Sequence, residues 1–378
     1  MKLFHLSDLH LGKRVNGFSM IEDQKYILKQ ILNYIEEEQP DGVLIAGDVY
    51  DKSVPSIEAV DLLDYFLTKL MEMHVATFII SGNHDSPERL GFAAKLIRPT
   101  NIRISQAYDG TVKPEKLWDD YGPLNIYMLP FIKPLHVRMA YPESYITTYT
   151  EAVKEAISHM EIDPEQRNLL IAHQFVTGAM RTDSEEISLG GSDNVDVRVF
   201  DTFDYVALGH IHRSQRLTRD TVRYSGTPLK YSFSECRDKK SITVIEMKEK
   251  GNTQIRFLPL TPLHDMREIK GSYEELTCLK NYEGTATDDY LHITLTDEDD
   301  VLDAAEKLRV IYPNLMKLDY DNTRTRSSGM VTISDDLERK SPLELFEDFY
   351  EQQNNMDLNG QQKEYISGLI EEIWEGKR

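Results

Sequence analysis

The strongest constraint on the fold is a repeated pattern in which a short apolar run ends in a polar turn. Residues 3–6 lead to Asp8 and His10, residues 43–46 lead to Asp48, and residues 76–80 lead to Asn83. Continuous apolar runs of this length are typical of strands buried on both faces. The segments that connect them have the apolar spacing of amphipathic helices. The repeat predicts a layered α/β sheet, in which functional sites collect beyond the carboxyl ends of the strands.

Two later runs end in the same way, because residues 168–172 lead to His173 and residues 204–208 lead to His210 and His212. We therefore expect seven side chains to meet at the ends of five strands: Asp8, His10, Asp48, Asn83, His173, His210 and His212. Carboxylate, amide and imidazole ligands without thiolate favour Mn²⁺, Fe²⁺ or Zn²⁺ in expanded coordination over a structural zinc. Seven ligands are too many for one ion and suit two ions that share one carboxylate. Such a pair can activate water and stabilise the leaving oxygen in phosphoryl transfer.

The remaining pattern predicts further elements of the first 260 residues. Helices are expected near residues 27–35, 57–73, 87–97 and 145–160, while residues 102–121 are expected to be irregular. Residues 175–197 form a long polar loop, and loops of this length are often functional. Short strands at 222–225, 241–247 and 254–258 are expected to close the second half of the core.

Pro259 and Pro262 mark the end of this first domain, which we place at residues 1–262. Residues 263–338 have a βαβ-like pattern and form a small separate module. Residues 341–376 carry two amphipathic helices, begun by the capping signature Ser341-Pro342-Leu343-Glu344. Two isolated helices of this length cannot bury their apolar faces on each other alone, so they dock on the body or on a partner.

Composition narrows the class of protein. The 378 residues have a net charge of −21 and only two cysteines, without a CxxC spacing. We expect a reducing compartment, the cytoplasm, and no membrane association, because no apolar run approaches the roughly 18 residues that a spanning helix needs. Basic residues are concentrated between Arg213 and Lys240. This segment is either a solvated face or a surface that contacts phosphates, and charge alone does not decide between them.

The ordered motifs resemble those of the calcineurin-like metallophosphoesterases. They are Asp8-x-His10, Gly47-Asp48, Gly82-Asn83-His84-Asp85, His173 and Gly209-His210-x-His212. Within that superfamily nearly the whole chain is similar to the SbcD nuclease subunits, including segments 6–12, 46–51, 203–212 and 224–229. The resemblance implies a four-layer αββα sandwich with a small α+β DNA-capping domain. It also implies a C-terminal helical segment that binds the coiled coil of an ATPase subunit, SbcC.

The resemblance also implies a role for each site residue. One Mn²⁺ would be held by Asp8, His10, Asp48 and His212, and the other by Asp48, Asn83, His173 and His210. His84 would stabilise the transition state or protonate the leaving group. Asp85 would orient His84, with turn stabilisation as an alternative, and Asp51 stands where some relatives have a second histidine. Mg²⁺ or another divalent ion could replace Mn²⁺.

The implied function is a nuclease subunit that works with SbcC. It would act as a 3′–5′ exonuclease on double-stranded DNA ends and as an endonuclease on hairpins and single strands, in repair, recombination and replication. A homodimer through the helices near 57–73 and 87–97, within a heterotetramer, is expected. Two alternatives stay open: a small-molecule phosphodiesterase or phosphatase of the same superfamily, and a scaffold whose metals only hold the fold. The protein-phosphatase motifs Gly-Asp-x-x-Asp-Arg-Gly and Gly-Asn-His-Glu are absent.

Overall fold

The computed structural model describes residues 1–185, 193–323 and 358–375, together with positions 325, 343, 346, 347 and 350. The chain divides into two compact units, of which the first is Met1–Met266 and the second begins at Arg267. Gly190 and Gly191 of the predicted loop, residues 326–338 of the predicted module, and residues 351–357 together with several others of segment 341–376 lie outside the described residues.

The first sheet of the larger unit has six strands with a parallel centre. Their spatial order is β14 (Thr253–Pro259), β13 (Ser241–Met247), β1 (Lys2–Leu6), β4 (Gly42–Ala46), β5 (Ala76–Ile80) and β6 (Ile102–Ile104). Strands β1, β4, β5 and β6 are parallel, whereas β13 runs antiparallel to β1 and β14 antiparallel to β13. The parallel strands all direct their carboxyl ends, and therefore their polar turns, to the same edge.

The second sheet repeats this arrangement. Its order is β11 (Gln215–Arg216), β12 (Val222–Tyr224), β10 (Tyr205–Gly209), β9 (Arg167–His173), β8 (Gly122–Leu129) and β7 (Glu115–Asp119). Strands β8, β9, β10 and β12 are parallel, and the antiparallel β7 and β11 form the two edges. A small hairpin of β2 (Arg14–Val15) and β3 (Phe18–Ser19) follows the first ligand turn.

The two sheets pack face to face and carry helices on their outer faces. Leu44 and Phe78 of the first sheet share one buried cluster with Ile126 and Leu169 of the second. The other face of the second sheet packs on α5 and α6, and the first sheet is covered by α1 and α2, whose apolar faces are buried. The helices of this unit are α1 (Ile21–Glu38), α2 (Ile57–Glu72), α3 (Pro87–Leu90), α4 (Ala94–Ile97), α5 (Pro134–Ala140), α6 (Tyr149–Ser158) and the 3₁₀ turns Val197–Phe200 and Phe233–Glu235. The predicted αββα sandwich is therefore confirmed.

Four element predictions for this unit need correction. The helix predicted over residues 87–97 is two short helices, because Ala93 adopts a left-handed backbone (φ 62°) after Gly91. Residues 102–121 are not wholly irregular, since they include β6 and β7. Strands β13 and β14 close the first sheet beside β1 and do not join the second half of the core. Helix α6 begins at Tyr149 and not near residue 145, because Thr148 and Glu151 form a capping box.

Among its described residues, the second unit has a three-stranded sheet on which three short helices pack. Its strands are β15 (Met266–Gly271), β16 (Tyr290–Leu295) and β17 (Leu315–Tyr320), and its helices are α7 (Tyr273–Thr277), α8 (Leu279–Tyr282), α9 (Ala304–Arg309) and the helix Gly360–Glu375. Leu291, Ile293 and Leu295 of β16 pack against Leu308 of α9. Within the part of the chain that the structure describes, no helix has the length and hydropathy to span a membrane.

Candidate metal centre

The turns after five strands meet at the carboxyl edges of the two sheets and bring all seven predicted ligands together. Asp8 and His10 follow β1, Asp48 follows β4, Asn83 follows β5, His173 ends β9, and His210 and His212 follow β10. The first two turns are joined through their main chains, because the Asp8 N–H donates to Gly47 O (3.0 Å) and the His10 N–H to Asp48 O (2.9 Å). Five chain segments separated by up to two hundred residues thus form one polar cluster.

The backbone at this cluster is strained. Asp8, His10, Asp48 and His210 have positive φ angles of 53°, 44°, 48° and 103°. Such conformations are uncommon for residues with a side chain and cost about 1–3 kcal/mol each unless the surroundings impose them. Four strained positions in one cluster indicate that the side chains are held in place for a function.

Asn83, His173 and His210 form one group of donor atoms. Asn83 Oδ1 lies 3.0 Å from His173 Nε2 and 2.8 Å from His210 Nδ1. The Asp48 Oδ2 atom lies 3.3 Å from the same His173 nitrogen. His173 Nδ1 donates to Ala46 O (2.8 Å), which turns its Nε2 lone pair toward the other donors when the ring is neutral.

His10 and His212 form the core of a second group, which shares Asp48 with the first. Their Nε2 atoms are 3.1 Å apart, and His10 Nε2 is 3.7 Å from Asp48 Oδ2. Asp8 completes this group, because ligand atoms of Asp8, His10 and His212 all lie within 4.8 Å of one another. Two ligands at neighbouring positions of an ion with bonds of about 2.1 Å are about 3 Å apart, so the close imidazole pair fits a shared cation.

Buried charge in the cluster also calls for a cation. Asp8, His10 and Asp48 are almost completely buried. Burial, with the Asp48 charge beside it, raises the pKa of Asp8 to about 7. Burial acts against a charged His173, but the Asp48 carboxylate outweighs it and raises the pKa of His173 to about 9. Burial lowers the pKa of His210 to about 3 and that of His212 well below its usual value, so both are neutral, as ligands must be. In the absence of an ion His173 thus carries a positive charge beside Asp48, and a bound cation would replace its proton.

His84 stands beside the cluster with a different set of contacts. Its backbone N–H donates to Asp48 Oδ1 (2.9 Å), and its Nε2 lies 4.0 Å from Asp48 Oδ2. The Asp51 carbonyl oxygen, 3.0 Å away, accepts from Nδ1, because a carbonyl oxygen can only accept. The Nε2 atom is therefore left to hold or release a proton at the cluster.

Asp85 contacts backbone groups. Its carboxylate accepts from the N–H groups of Val49 (3.1 Å), Tyr50 (2.9 Å) and Gly82 (2.9 Å), and so links the Asp48 turn to the Asn83 turn. These contacts support the alternative role in stabilising the turns, since the His84 ring is oriented by Asp51. The Asp51 side chain itself pairs with Lys13 (2.8 Å) and lies 3.5 Å from His10 Nδ1.

The basic segment between Arg213 and Lys240 is largely occupied within the protein. Its contacts are Arg213 with Asp238, Arg216 with Asp220, Arg219 with the carbonyls of Phe200 and Phe203, Lys230 with Asp265, and Lys240 with Glu235. Neither a solvated face nor a phosphate surface describes the segment as a whole, since much of its charge is satisfied by neighbouring residues.

Sequence reasoning missed several residues that support the ligands. Gln24 donates to His10 O (2.7 Å) and to the Tyr231 hydroxyl (3.0 Å), which in turn donates to Leu9 O (2.6 Å). Ser184 and Glu185 reach His212 from the long polar loop. For Ser184 and Glu185, the signal in the sequence is the length of that loop.

Comparison with known proteins agrees with this geometry. Residues 1–214 match the family model described as calcineurin-like phosphoesterase, and residues 262–354 match the one described as type 5 capsule protein repressor C-terminal domain. A protein of Staphylococcus epidermidis that is named as the SbcD component of the nuclease SbcCD is 33% identical over 377 residues, which is 98% of each chain. The chain belongs to the SbcD subunits of the calcineurin-like phosphoesterase family.

Two further proteins are similar to this SbcD-family chain. The protein of the same name from Staphylococcus saprophyticus is 34% identical over 322 residues, 84% of each chain. A dimetal phosphatase from Danio rerio has a TM-score of 0.40 and 11% identity, covering 69% of this chain and 98% of its own. Membership of the family confirms the resemblance drawn from the ordered motifs.

Proposed function

We propose that this chain is the two-metal nuclease subunit of an SbcCD complex and hydrolyses phosphodiester bonds in DNA. The observation that carries the proposal is the convergence of two groups of donor atoms on the Asp48 carboxylate. The names of the two staphylococcal relatives support the choice of DNA as substrate.

The two groups divide the ligands between two ions. Asp8, His10, Asp48 and His212 would hold one ion, and Asp48, Asn83, His173 and His210 would hold the other. We expect Mn²⁺ in preference to Mg²⁺, because Mg²⁺ demands a near-ideal shell of oxygen ligands, whereas four of these donors are imidazoles. A pair of such ions supplies an activated water and neutralises the charge that develops on the phosphate.

His84 acts on the phosphate from the side of the cluster. Its ring is fixed by the carbonyl of Asp51, and in the protonated form its Nε2 can donate a hydrogen bond to a phosphate oxygen or give its proton to the leaving oxygen. Asp85 keeps the Asp48 and Asn83 turns at a fixed separation through its three backbone contacts.

The substrates are double-stranded DNA ends, on which the subunit acts as a 3′–5′ exonuclease, and hairpins, on which it acts as an endonuclease. This processing serves cytoplasmic repair, recombination and replication. A chain with a net charge of −21 is a poor DNA-binding surface by itself. A partner ATPase, SbcC, would therefore supply much of the DNA contact. Residues 263–338 would cap the site, and residues 341–376 would bind the SbcC coiled coil.

Exposed apolar side chains support a homodimer within a heterotetramer. Ile57 at the start of α2 is 78% exposed, and Phe92 and Leu96 around α4 are more than 80% exposed. Large apolar side chains that lie this far in solvent are typical of a surface that pairs with another chain. The location agrees with the helices expected to form the dimer.

The test is a cleavage assay with the purified full chain, Mn²⁺ and an end-labelled hairpin duplex, with and without SbcC. We expect nicking of the hairpin that needs the metal and is stronger with SbcC and ATP. A chain that cleaves a small phosphodiester but not DNA under either condition would favour the small-molecule alternative. Complete inactivity on both substrates, with metal bound, would favour the scaffold.

A further inference from the structure

A chain of three buried or half-buried side chains lies behind His212, on the side away from the other ligands. His212 Nδ1 is 2.6 Å from Ser184 Oγ, and Ser184 Oγ donates to Glu235 Oε1 at 2.6 Å. Glu235 is fully buried, and its other oxygen accepts from Lys240 Nζ at 2.6 Å. Lys240 is also buried and lies on the far side of Glu235.

The order of donors in this hydrogen-bonded series determines which nitrogen of His212 carries the proton. A carboxylate paired with a lysine only accepts, so the Ser184 hydroxyl hydrogen points to Glu235. The Ser184 oxygen must then accept from His212, which requires a proton on Nδ1. In a neutral ring the lone pair is then on Nε2, the atom that faces His10 at 3.1 Å.

The main chain of His212 is held by Lys240 and by Glu185, the neighbour of Ser184. Glu185, next to Ser184, accepts from the His212 N–H at 2.7 Å, and Lys240 Nζ donates to the His212 carbonyl at 2.9 Å. Lys240 also donates to Thr227 Oγ1 at 2.8 Å. Every polar group of His212 other than Nε2 therefore has a partner, and both position and tautomer of the ring are determined.

We propose that Ser184, Glu235 and Lys240 form a positioning relay that presents the Nε2 lone pair of His212 to a divalent ion. The relay rests on the proposed metal site but assigns new residues to it. None of the three is a ligand, and they act on the ion only through His212. Outer contacts of this kind are worth about 10- to 100-fold in metal affinity.

The first experiment is a calorimetric titration of the metal-free full chain with Mn²⁺. Ser184→Ala removes the link between His212 and Glu235, while Ser184→Thr keeps the hydroxyl. Ser232→Ala is the matched control, because Ser232 also donates to Glu235 Oε1 (2.9 Å) and makes no contact with His212. We expect Ser184→Ala to weaken one of two Mn²⁺ sites about tenfold or more. Ser184→Thr and Ser232→Ala should stay near the wild type.

The second experiment reads the tautomer directly and needs no metal. In the metal-free chain labelled with ¹⁵N-histidine, the His212 signals are identified by their absence in His212→Gln. We expect the Nδ1–H tautomer in the wild type and in Ser184→Thr, and its loss or mixing in Ser184→Ala. This measurement separates a local effect on the ring from any change in overall stability.

Three results would overturn the relay. They are an Nε2–H tautomer in the wild type, wild-type Mn²⁺ affinity in Ser184→Ala, and an equal loss of affinity in Ser232→Ala. Failure of the relay is distinguishable from failure of the metal site itself. A wild-type chain that binds no Mn²⁺ contradicts the proposed function, whereas two normal sites in Ser184→Ala contradict the relay alone.

Discussion

At the scale of single residues, His84 differs from His173 and His212 in where its Nε2 atom lies. The Nδ1 atoms of His173 and His212 are bonded to groups behind them, and their Nε2 atoms lie among the donors. The ring of His84 is bonded to the Asp51 carbonyl, and its Nε2 is 4.0 Å from the nearest Asp48 oxygen. These contacts place His84 beside the donor cluster and, under the proposed function, leave its Nε2 for the substrate.

His84→Ala should therefore lower the rate of hydrolysis by about 100- to 10,000-fold, the usual contribution of a group that transfers a proton. Mn²⁺ affinity and the melting temperature should stay close to the wild type, because no ligand is removed. The assay is Mn²⁺-dependent hairpin cleavage, accompanied by a metal titration and thermal unfolding.

The control for this variant is His159→Ala. It removes an imidazole that stacks on Tyr141, at a centroid distance of 3.9 Å, outside the cluster. Cleavage by the control should be unchanged. Wild-type hydrolysis in His84→Ala would show that the ring has no part in the reaction.

The convergence of the seven candidate ligands could be predicted, whereas the residues that support them could not. Asp8, Asp48 and His210 each follow an apolar run that can be read in the sequence. Glu235 and Lys240 lie in a segment whose charges look like a surface, and their burial depends on contacts made across the fold. A sequence pattern carries no signal for a pairing of that kind.

At the scale of elements, the turns can come together because glycine precedes three of the ligands. A Cβ on Gly82 would lie 2.1 Å from Asp48 Oδ1, and one on Gly209 would lie 1.9 Å from Ala46 O. Both distances are far inside van der Waals contact, so the turns could not approach as they do. The Gly-Asn-His and Gly-His motifs are thus requirements of close packing between strand ends.

Gly82→Ala should disrupt the centre. The added methyl group must displace the Asp48 side chain or its turn, and overpacking of this kind costs about 1–3 kcal/mol. We expect Mn²⁺ affinity to fall at both sites, since Asp48 is shared. Equilibrium titration with Mn²⁺ and denaturant unfolding measure the two effects.

Gly368→Ala serves as the comparison for Gly82→Ala. Gly368 lies in the helix Gly360–Glu375 with nothing within 4 Å of an added Cβ. That change should leave metal binding intact and leave stability equal or slightly higher, since alanine favours helix. Normal Mn²⁺ binding in Gly82→Ala would contradict the packing argument.

The edge strand β7 is fastened by an ion pair that makes stability depend on pH. Asp119 Oδ1 accepts from Arg167 Nη2 at 2.5 Å, and Arg167 is 2% exposed. Burial opposes the charge on Asp119, but the Arg167 contacts outweigh it and lower the pKa of Asp119 to about 2. A pKa depressed in the folded state adds stability above the unfolded value near 4, which is lost as the pH falls from about 4 to about 2.

Asp119→Asn should accordingly lower the free energy of unfolding at pH 7 by about 2 kcal/mol. Each unit by which the folded state lowers the pKa is worth about 1.4 kcal/mol, and the partial exposure of the side chain reduces the sum. The gap between variant and wild type should narrow below pH 4. Urea unfolding at several pH values measures it. The exposed neighbour Asp120 offers a control of equal charge, and Asp120→Asn should have almost no effect; equal losses in both variants would refute the ion pair.

At the scale of the whole molecule, the sequence predicts the layers of strands and helices better than it predicts which sheet each strand joins. The alternation of buried strand and helix predicts a layered α/β sheet, because that pattern is local, whereas the four-layer αββα sandwich is implied by the family resemblance. The pairing of β13 with β1 joins residues about 240 positions apart and has no local signature. The break of the helix at residues 91–93 and the edge strand β7 were missed for a related reason, since tertiary contacts override weak local preference there.

The overall charge fits a subunit that meets DNA together with another protein. A chain of charge −21 repels a polyanion except where cations are bound or a partner contributes positive charge. The cluster at the strand ends brings together buried donors that could hold such cations. The proposed function therefore requires two divalent ions that share Asp48.

The most direct test is the stoichiometry of Mn²⁺ in the metal-free full chain, measured by equilibrium dialysis with the Asp48→Asn variant alongside. Two ions are expected in the wild type, and at most one weakly bound ion in Asp48→Asn, because the shared carboxylate serves both. A wild-type chain that binds a single ion, or an Asp48→Asn chain that still binds two, would contradict a centre built around Asp48.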